Sequence, residues 1–367
     1  MLNAKMENGT LISMGDEWRL DELQKLRKRT TFSCPVCGQS VMLKLGSKIH
    51  WHFAHHNRKD GGCSIEQEAE SHYHMRGKCL LYQWLKHQRI DAALEVYLPL
   101  IRQRPDVLFR WKNRLYALEF QCAAMDIPSI SRRTEGFKDL GITPIWVLGG
   151  NRLKRKGKLN YRIKRFEWIA AKAKERWGCE LVYFCPDSKR WNLLHQVSPY
   201  ATNRSLASLK EFKLHDFSFE NLLTPSPQRT PPIREWLTVK RHWRYENTNP
   251  YPSKSQRFHQ QLLYFHRLSP AQFPIESGWP TPYYYLIETS PNIWQNFLLL
   301  ECMRHQPLDK YFHEQLLFNR LHSLLSKNIL ALRPFHVSDC ISPAVRPFFT
   351  LAYRNRFSKK KGRTANI

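Results

Sequence analysis

Two carboxylates and one amide carry the chemistry that the sequence most clearly suggests: Asp106 in RPDVLFRWK, and Glu119 with Gln121 in LYALEFQ. Both segments read as strands, and Lys112-Asn113-Arg114 reads as the polar turn that joins them. Strand geometry repeats every second residue, so Glu119 and Gln121 share one face while Leu118 and Phe120 take the other. Acidic groups delivered by adjacent strands can share one hard cation. That is the arithmetic of a metal-dependent phosphodiesterase, but the pattern is short enough to arise by chance. Its meaning rests on the elements around it.

A second constellation lies upstream. Cys34-Pro35-Val36-Cys37-Gly38 has the form of a metal knuckle, and VMLKLGSKIHWHF reads as a hairpin turning at Gly46-Ser47 into His52-Phe53-Ala54-His55. Two thiolates and two imidazoles satisfy tetrahedral Zn²⁺, which makes Cys34, Cys37, His52 and His55 the expected structural ligands. Cys63, His50 and His56 are rivals that spacing does not rank. With nine cysteines and one close pair, the chain suits reduced thiols and one knuckle better than a disulfide framework.

The elements that must hold these residues follow in order. Residues 1–30 read as a hairpin turning at Glu7-Asn8-Gly9 and a short helix. Residues 64–90 read as a helix capped by Ser64, in which Glu70, His74 and Lys78 share a face at i, i+4, i+8. That polar face is either solvated or closes the carboxylate cleft. Three strands follow as an antiparallel meander, then a helix over Ser129–Leu140 and the buried strand TPIWVLGG, parallel to the one carrying Glu119. The order is αβββαβ. Downstream, RFEWIAAKAKERWG reads as a helix and CELVYFCP as a core strand.

The net charge of +27 favours a polyanionic partner. Arg132, Arg133 and Lys138 form a basic helix face, and Arg152, Lys154, Arg155 and Lys156 lie in a basic segment that either tracks a phosphate backbone or is simply solvated. There is no apolar run of membrane-spanning length and no secretory signal, so a cytoplasmic protein without membrane insertion is expected. Three parts are expected: a zinc-finger-like β module at 1–63, an α/β domain at 64–200, and a mainly helical region at 201–367 with a Pro-rich linker near 222–234.

Cys34-x-x-Cys37, HFAH, the Glu70–His74–Lys78 helix, QRPDVL, LEFQCA, RRTEGF and PIWVLGG occur in this order, and by them the chain resembles the CoiA family of competence proteins. The resemblance covers about residues 5–200. It implies an α/β, restriction-endonuclease-like fold of the PD-(D/E)XK superfamily and a role in transformation and recombination. Carried over, Asp106 and Glu119 hold Mg²⁺ and Glu70 is an auxiliary acid, with His74 and Lys78 beside the cleft. Gln121 stands where the standard motif has lysine, and Arg133 approaches a phosphate. A glutamine can orient water but brings no cation, so Lys78 or Arg133 must replace that charge if hydrolysis is to be efficient. Three readings follow. The first is a Mg²⁺-dependent deoxyribonuclease. The second is a non-catalytic single-stranded DNA-binding mediator that assists a RecA-type recombinase. The third, an RNA-directed zinc protein, has only the charge and the finger behind it.

Overall fold

The computed structural model describes residues 1–56, 63, 70–175, 178–224, 232–245, 250–303, 314–334 and 345–348. They form two compact units, one of Met1–Leu153, Val182–Asn192 and Glu211–Thr224, the other of Lys154–Leu181, Leu193–Lys210 and Pro225–Ile367. The architecture is mixed α/β. Among the described residues no helix is long and apolar enough to cross a membrane.

The first unit opens with β1 (Asn3–Met6) and β2 (Leu11–Ser13), an antiparallel pair joined through Gly9, whose φ of 83° suits a residue without Cβ. Helix α1 (Leu20–Arg29) has Asp21 and Glu22 in its first turn and Arg27, Lys28 and Arg29 in its last, as its dipole prefers. Strand β3 (Phe32–Ser33) pairs with β1, and β4 (Val41–Lys44) with β5 (His52–His55) forms the expected hairpin.

Helix α2 (His72–His87) is capped by Ser71, whose hydroxyl accepts from the His74 amide at 3.2 Å. The predicted cap at Ser64 lies outside the described residues. Strands β6 (Asp91–Leu94), β7 (Val107–Trp111) and β8 (Arg114–Gln121) pair antiparallel. Trp111 pairs with Arg114 across Lys112 and Asn113, both at positive φ, which is the two-residue turn whose twist suits a hairpin. Helix α3 (Ile127–Asp139), capped by Asp126, leads to β9 (Thr143–Gly149), which lies parallel to β8. The αβββαβ order expected from periodicity is therefore present. Ala117 packs with Phe137 on the α3 side of the sheet, and Phe120 packs against α2 on the other, so β8 is buried on both faces.

The second unit begins with the short antiparallel strands β10 (Lys154–Arg155) and β11 (Asn160–Arg162). The helix expected over RFEWIAAKAKERWG is not formed. Arg165–Ala170 is a 3₁₀ turn, followed by β12 (Lys172–Glu175) paired with β13 (Gly178–Cys185). Phe166, Glu167, Trp168, Ile169 and Ala170 are all buried, so the segment has no polar face to present as an amphipathic helix. Strands β14 (Arg190–Ala201) and β15 (Arg204–Lys213) follow, then α4 (Phe219–Leu223) in the first unit. Within the first unit, Tyr183 and Phe184 of β13 pair parallel with Leu148 and Gly149 of β9.

Among the described residues the rest of the second unit is mainly helical: α5 (Ile233–Tyr245), α6 (Lys254–Phe265), α7 (Pro291–Phe297) and α8 (Glu314–Ser326). Arg333 is buried there, donating to the Ala201 and Thr202 carbonyls with its guanidinium 4.1 Å from the Trp168 ring centroid.

Candidate active site and metal centre

The carboxylates meet at one end of the β7–β8 pair. Asp106 is buried just before β7, and its Oδ2 accepts from the Phe120 amide at 2.8 Å and lies 3.3 Å from His74 Nε2. Glu119, on β8, is buried on the α3 side, where its Oε1 accepts from Arg133 Nη2 at 2.7 Å. The same guanidinium nitrogen donates to the Arg104 carbonyl at 3.2 Å.

Lys78 reaches this cluster from α2 with a side chain that has no solvent exposure. Its Nζ is 2.6 Å from Glu70 Oε1, 2.5 Å from Glu95 Oε1 and 3.7 Å from Asp106 Oδ1. Glu70 therefore stands beside Lys78 and His74 as their shared helix face predicts, although it precedes the first helical residue. Two participants escaped the sequence reading. Glu95 binds Lys78, Arg104 and the Leu2 amide, and Arg104 lies 3.4 Å from Glu95. The signal for Arg104 was a base directly before Pro105-Asp106, and for Glu95 a lone acid ahead of the apolar run over residues 96–101, but Glu95 sits at φ 46° just past β6, where strand periodicity ends.

The helix approaches this closely because position 77 is glycine. A Cβ there would lie 2.0 Å from a Phe120 ring carbon. Gly77→Ala is expected to lower unfolding stability by about 1–3 kcal/mol, since overpacking outweighs the ~1 kcal/mol that alanine gains over glycine inside a helix. Urea denaturation reads this directly. A stabilised variant would show that α2 and Phe120 part without cost.

Burial and environment split the acids. Burial opposes ionisation of Asp106, but His74, Lys78 and the Phe120 amide outweigh it and hold the carboxyl well below its ordinary range. Glu119 goes the other way: burial, reinforced by the charge of Asp106, pushes it up to about 7 against the pull of Arg133. Burial lowers His74, yet Asp106 and Glu70 carry it above the ordinary imidazole value. Glu119 thus has less positive charge beside it than its burial demands, and Glu70 Oε2 is buried with no hydrogen-bond partner among the described residues. Oxygen donors in that condition fit a hard divalent cation.

Gln121 is directed elsewhere. Its amide donates to the Ala123 carbonyl at 2.7 Å. Of the basic residues, Arg132 and Lys138 are exposed on α3, and Arg133 is half-buried against Glu119. Lys154 and Lys156 are exposed, and Arg152 is partly buried. Arg155 donates to the Gly157 and Lys158 carbonyls and so shapes its own turn.

The second centre gathers Cys34, Cys37, His55 and Cys63, whose ligand atoms all lie within 4.8 Å of one another. Among the described residues this is the one such group of Cys, His and acidic side chains. His52, expected as a ligand, lies outside it: its Nδ1 is 2.8 Å from the His50 carbonyl. Cys63 stands in its place. The reason is strand alternation within β5, since His55 is three residues from His52 and the two cannot share a face. His50 Nε2 is 3.1 Å from Cys79 Sγ, and His56 is exposed outside the group. Cys34 Sγ is 3.9 Å from Cys63 Sγ, and Cys37 Sγ is 3.3 Å from His55 Nε2. Tetrahedral zinc with Zn–S bonds of about 2.3 Å places its sulfurs roughly 3.8 Å apart, so the set can hold such a metal.

An αβββαβ unit with buried acids at a strand end, preceded by a Cys/His cluster whose geometry could hold a metal, is the arrangement of a nuclease-like protein. Family comparison agrees: the description "Competence protein CoiA, nuclease-like domain" matches residues 70–227, the CoiA N-terminal domain matches 15–66 and the CoiA C-terminal domain 232–364. The chain is also 34% identical over 342 residues to Competence protein CoiA of Bacillus subtilis (strain 168), covering 92% of this chain and 89% of that one. No solved structure matches. The chain belongs to the CoiA family of competence proteins.

Proposed function

We propose that this protein is a metal-dependent deoxyribonuclease with a restriction-endonuclease-like core, acting on DNA in competence-related processing. One observation carries the reading: Asp106 and Glu119 are buried together at the end of adjacent strands, with Glu119 short of compensating charge. Asp106 and Glu119 would hold Mg²⁺, with Glu70 close by. Bound there, the ion supplies a water of lowered pKa and neutralises charge on the phosphate.

The protein's own groups divide the remaining work. Lys78 has no solvent exposure and is locked between Glu70 and Glu95, so it fixes Asp106 and does not meet substrate. Arg133 has a side chain 29% exposed and already faces Glu119, which makes it the cation that reaches an incoming phosphate and replaces the lysine absent at Gln121. Exposed Arg132, Lys138, Lys154 and Lys156 supply backbone contacts. The Cys/His centre, filled by protein ligands, holds Zn²⁺ structurally.

The test is cleavage of single- and double-stranded DNA with Mg²⁺ or Mn²⁺. Asp106→Asn and Glu119→Gln are each expected to reduce the rate by about 10²-fold or more, with DNA affinity in EDTA nearly unchanged. Wild-type protein that binds but never cuts would instead favour the second reading, a single-strand-binding mediator for a RecA-type recombinase. One feature supports that alternative: Asp106 and Glu119 each already have a protein cation within hydrogen-bonding or ion-pair distance.

A further inference from the structure

The N-terminal module is split between its two small sheets. Strand β3 pairs with β1, and β4 pairs with β5. Between them, among the described residues, runs one bridge, Ser33 to Ser40, where the cysteine knuckle ties the strands: the Cys34 amide donates to the Gln39 carbonyl at 2.8 Å and the Gly38 amide to the Cys34 carbonyl at 3.0 Å. Beyond that bridge the two strands part. The gap is a cleft of about 300 Å³, with residues 30–32 on one wall, residues 40–44 on the other, and Arg27 and His56 completing the lining.

Two properties define what the cleft can take. The first is main-chain polarity: in an antiparallel ladder every second residue turns its N–H and C=O away from its partner, so β4 presents donors and acceptors along the edge opposite β5. An extended chain matches that edge. The second is charge. Arg27 and Lys44 are exposed, no lining residue is acidic, and residues 24–59 contain neither Asp nor Glu. Arg27 forms no ion pair among the described residues, and the contact of Lys44 Nζ there is the weakly accepting Met42 sulfur at 3.8 Å.

A DNA sugar-phosphate backbone carries acceptors and no donors, so it would leave the strand carbonyls unmet. The same cleft on a second copy of this chain brings the same cations, which disfavours symmetric pairing. An acidic peptide in extended form meets both requirements, its main chain pairing with β4 and its carboxylates facing the two cations. Burial along β4 also fixes a pattern: Val41 and Leu43 are buried while Lys44 is exposed, so an added strand would alternate apolar side chains on the first face with acids on the second. We propose that the cleft between β3 and β4 is a docking site for an acidic, β-prone segment of a protein partner, which joins the module by strand addition to β4. The knuckle holds the closed end of the cleft, which gives the Cys/His module a part in recognition.

The experiment is selection of a displayed library of random heptapeptides on the full chain, followed by fluorescence anisotropy with the enriched peptide. Enriched sequences should alternate Val, Ile or Thr with Asp or Glu. Arg27→Glu with Lys44→Glu should weaken binding by roughly tenfold or more. The same peptide with lysines for its acids should bind this doubly reversed variant and not the wild type, which also shows that the variant is folded. N-methylation of alternate peptide amides should abolish binding in one of its two registers, because strand addition depends on the main chain. Selection that yields no acidic consensus overturns the proposal. So does an enriched peptide that tolerates the double reversal, or one that tolerates N-methylation in both registers. Oligothymidylate bound through Arg27 and Lys44 in EDTA, with no acidic peptide selected, would assign the cleft to DNA instead. None of these measurements involves hydrolysis, so their outcome is separate from failure of the nuclease reading.

Discussion

Lys78→Met is expected to lower the free energy of unfolding by about 3–5 kcal/mol, the cost of removing one partner from a buried ion cluster. Methionine nearly matches the lysine stem in volume, so the loss comes from charge. Lys78 Nζ lies among Glu70, Glu95 and Asp106, and without it three carboxylates face one another with Arg104 and His74 as their remaining cations. An exposed pair would cost less than about 1 kcal/mol, so urea denaturation distinguishes the cases. Adding Glu95→Gln to Lys78→Met should recover part of the loss, and the coupling in that double-mutant cycle isolates the pair. The pH dependence has a definite sign. Burial raises Glu95, but Lys78 and Arg104 depress it far below its ordinary 4.5, so its contribution is present above pH 4.5 and fades as pH falls towards the depressed value. The gap between wild type and variant should therefore be widest near neutrality and narrow on acidification. A gap independent of pH would mean that packing, not charge, sets the cost.

How much of this was legible differs by element, and the differences have physical causes. The αβββαβ order was readable because β7, β8 and β9 keep strand alternation or continuous burial between strong turn signals, and because Gly141 ends α3; the cap at Asp126, three residues before the expected start, was not read. Strand period placed Asp106 near Glu119 and helix period placed Glu70 and Lys78 on one face, but that this face meets the carboxylates was implied only by the family resemblance. Glu95 could not be placed, since its position at φ 46° follows from contacts with Leu2, Lys78 and Arg104 made 93, 17 and 9 residues away. The long strand β14 was equally hidden: four consecutive buried residues, Trp191–Leu194, precede Gln196 at φ 55°, which breaks its alternation. For Arg165–Ala170 helical propensity pointed the wrong way, because burial of five adjacent side chains overrode it.

If the Cys/His centre holds zinc as proposed, the purified protein should carry about one zinc per chain, Cys63→Ser should remove most of it, and His52→Gln should leave it in place. The contrast follows from geometry. Cys63 Sγ belongs to the group within 4.8 Å of Cys34, Cys37 and His55, while His52 is held by the His50 carbonyl. Electrostatics point the same way: burial, with the charge of Cys63 adding, pushes Cys34 up to about 11, so paired thiolates there call for a cation. Serine is a poor zinc ligand and leaves three donors, and structural zinc in small modules contributes on the order of 10 kcal/mol or more to their folding. The consequence should reach beyond the metal. The Phe53 amide of β5 donates to the Met1 carbonyl at 2.9 Å, and the next residue, Leu2, donates to Glu95 of the carboxylate cluster at 2.7 Å. Loosening β5 in Cys63→Ser should therefore speed amide exchange at Phe53 and Leu2 as well as lower zinc content by metal analysis. His52→Gln should do neither. Zinc lost with His52→Gln and kept with Cys63→Ser would restore the Cys₂His₂ set that finger spacing suggests.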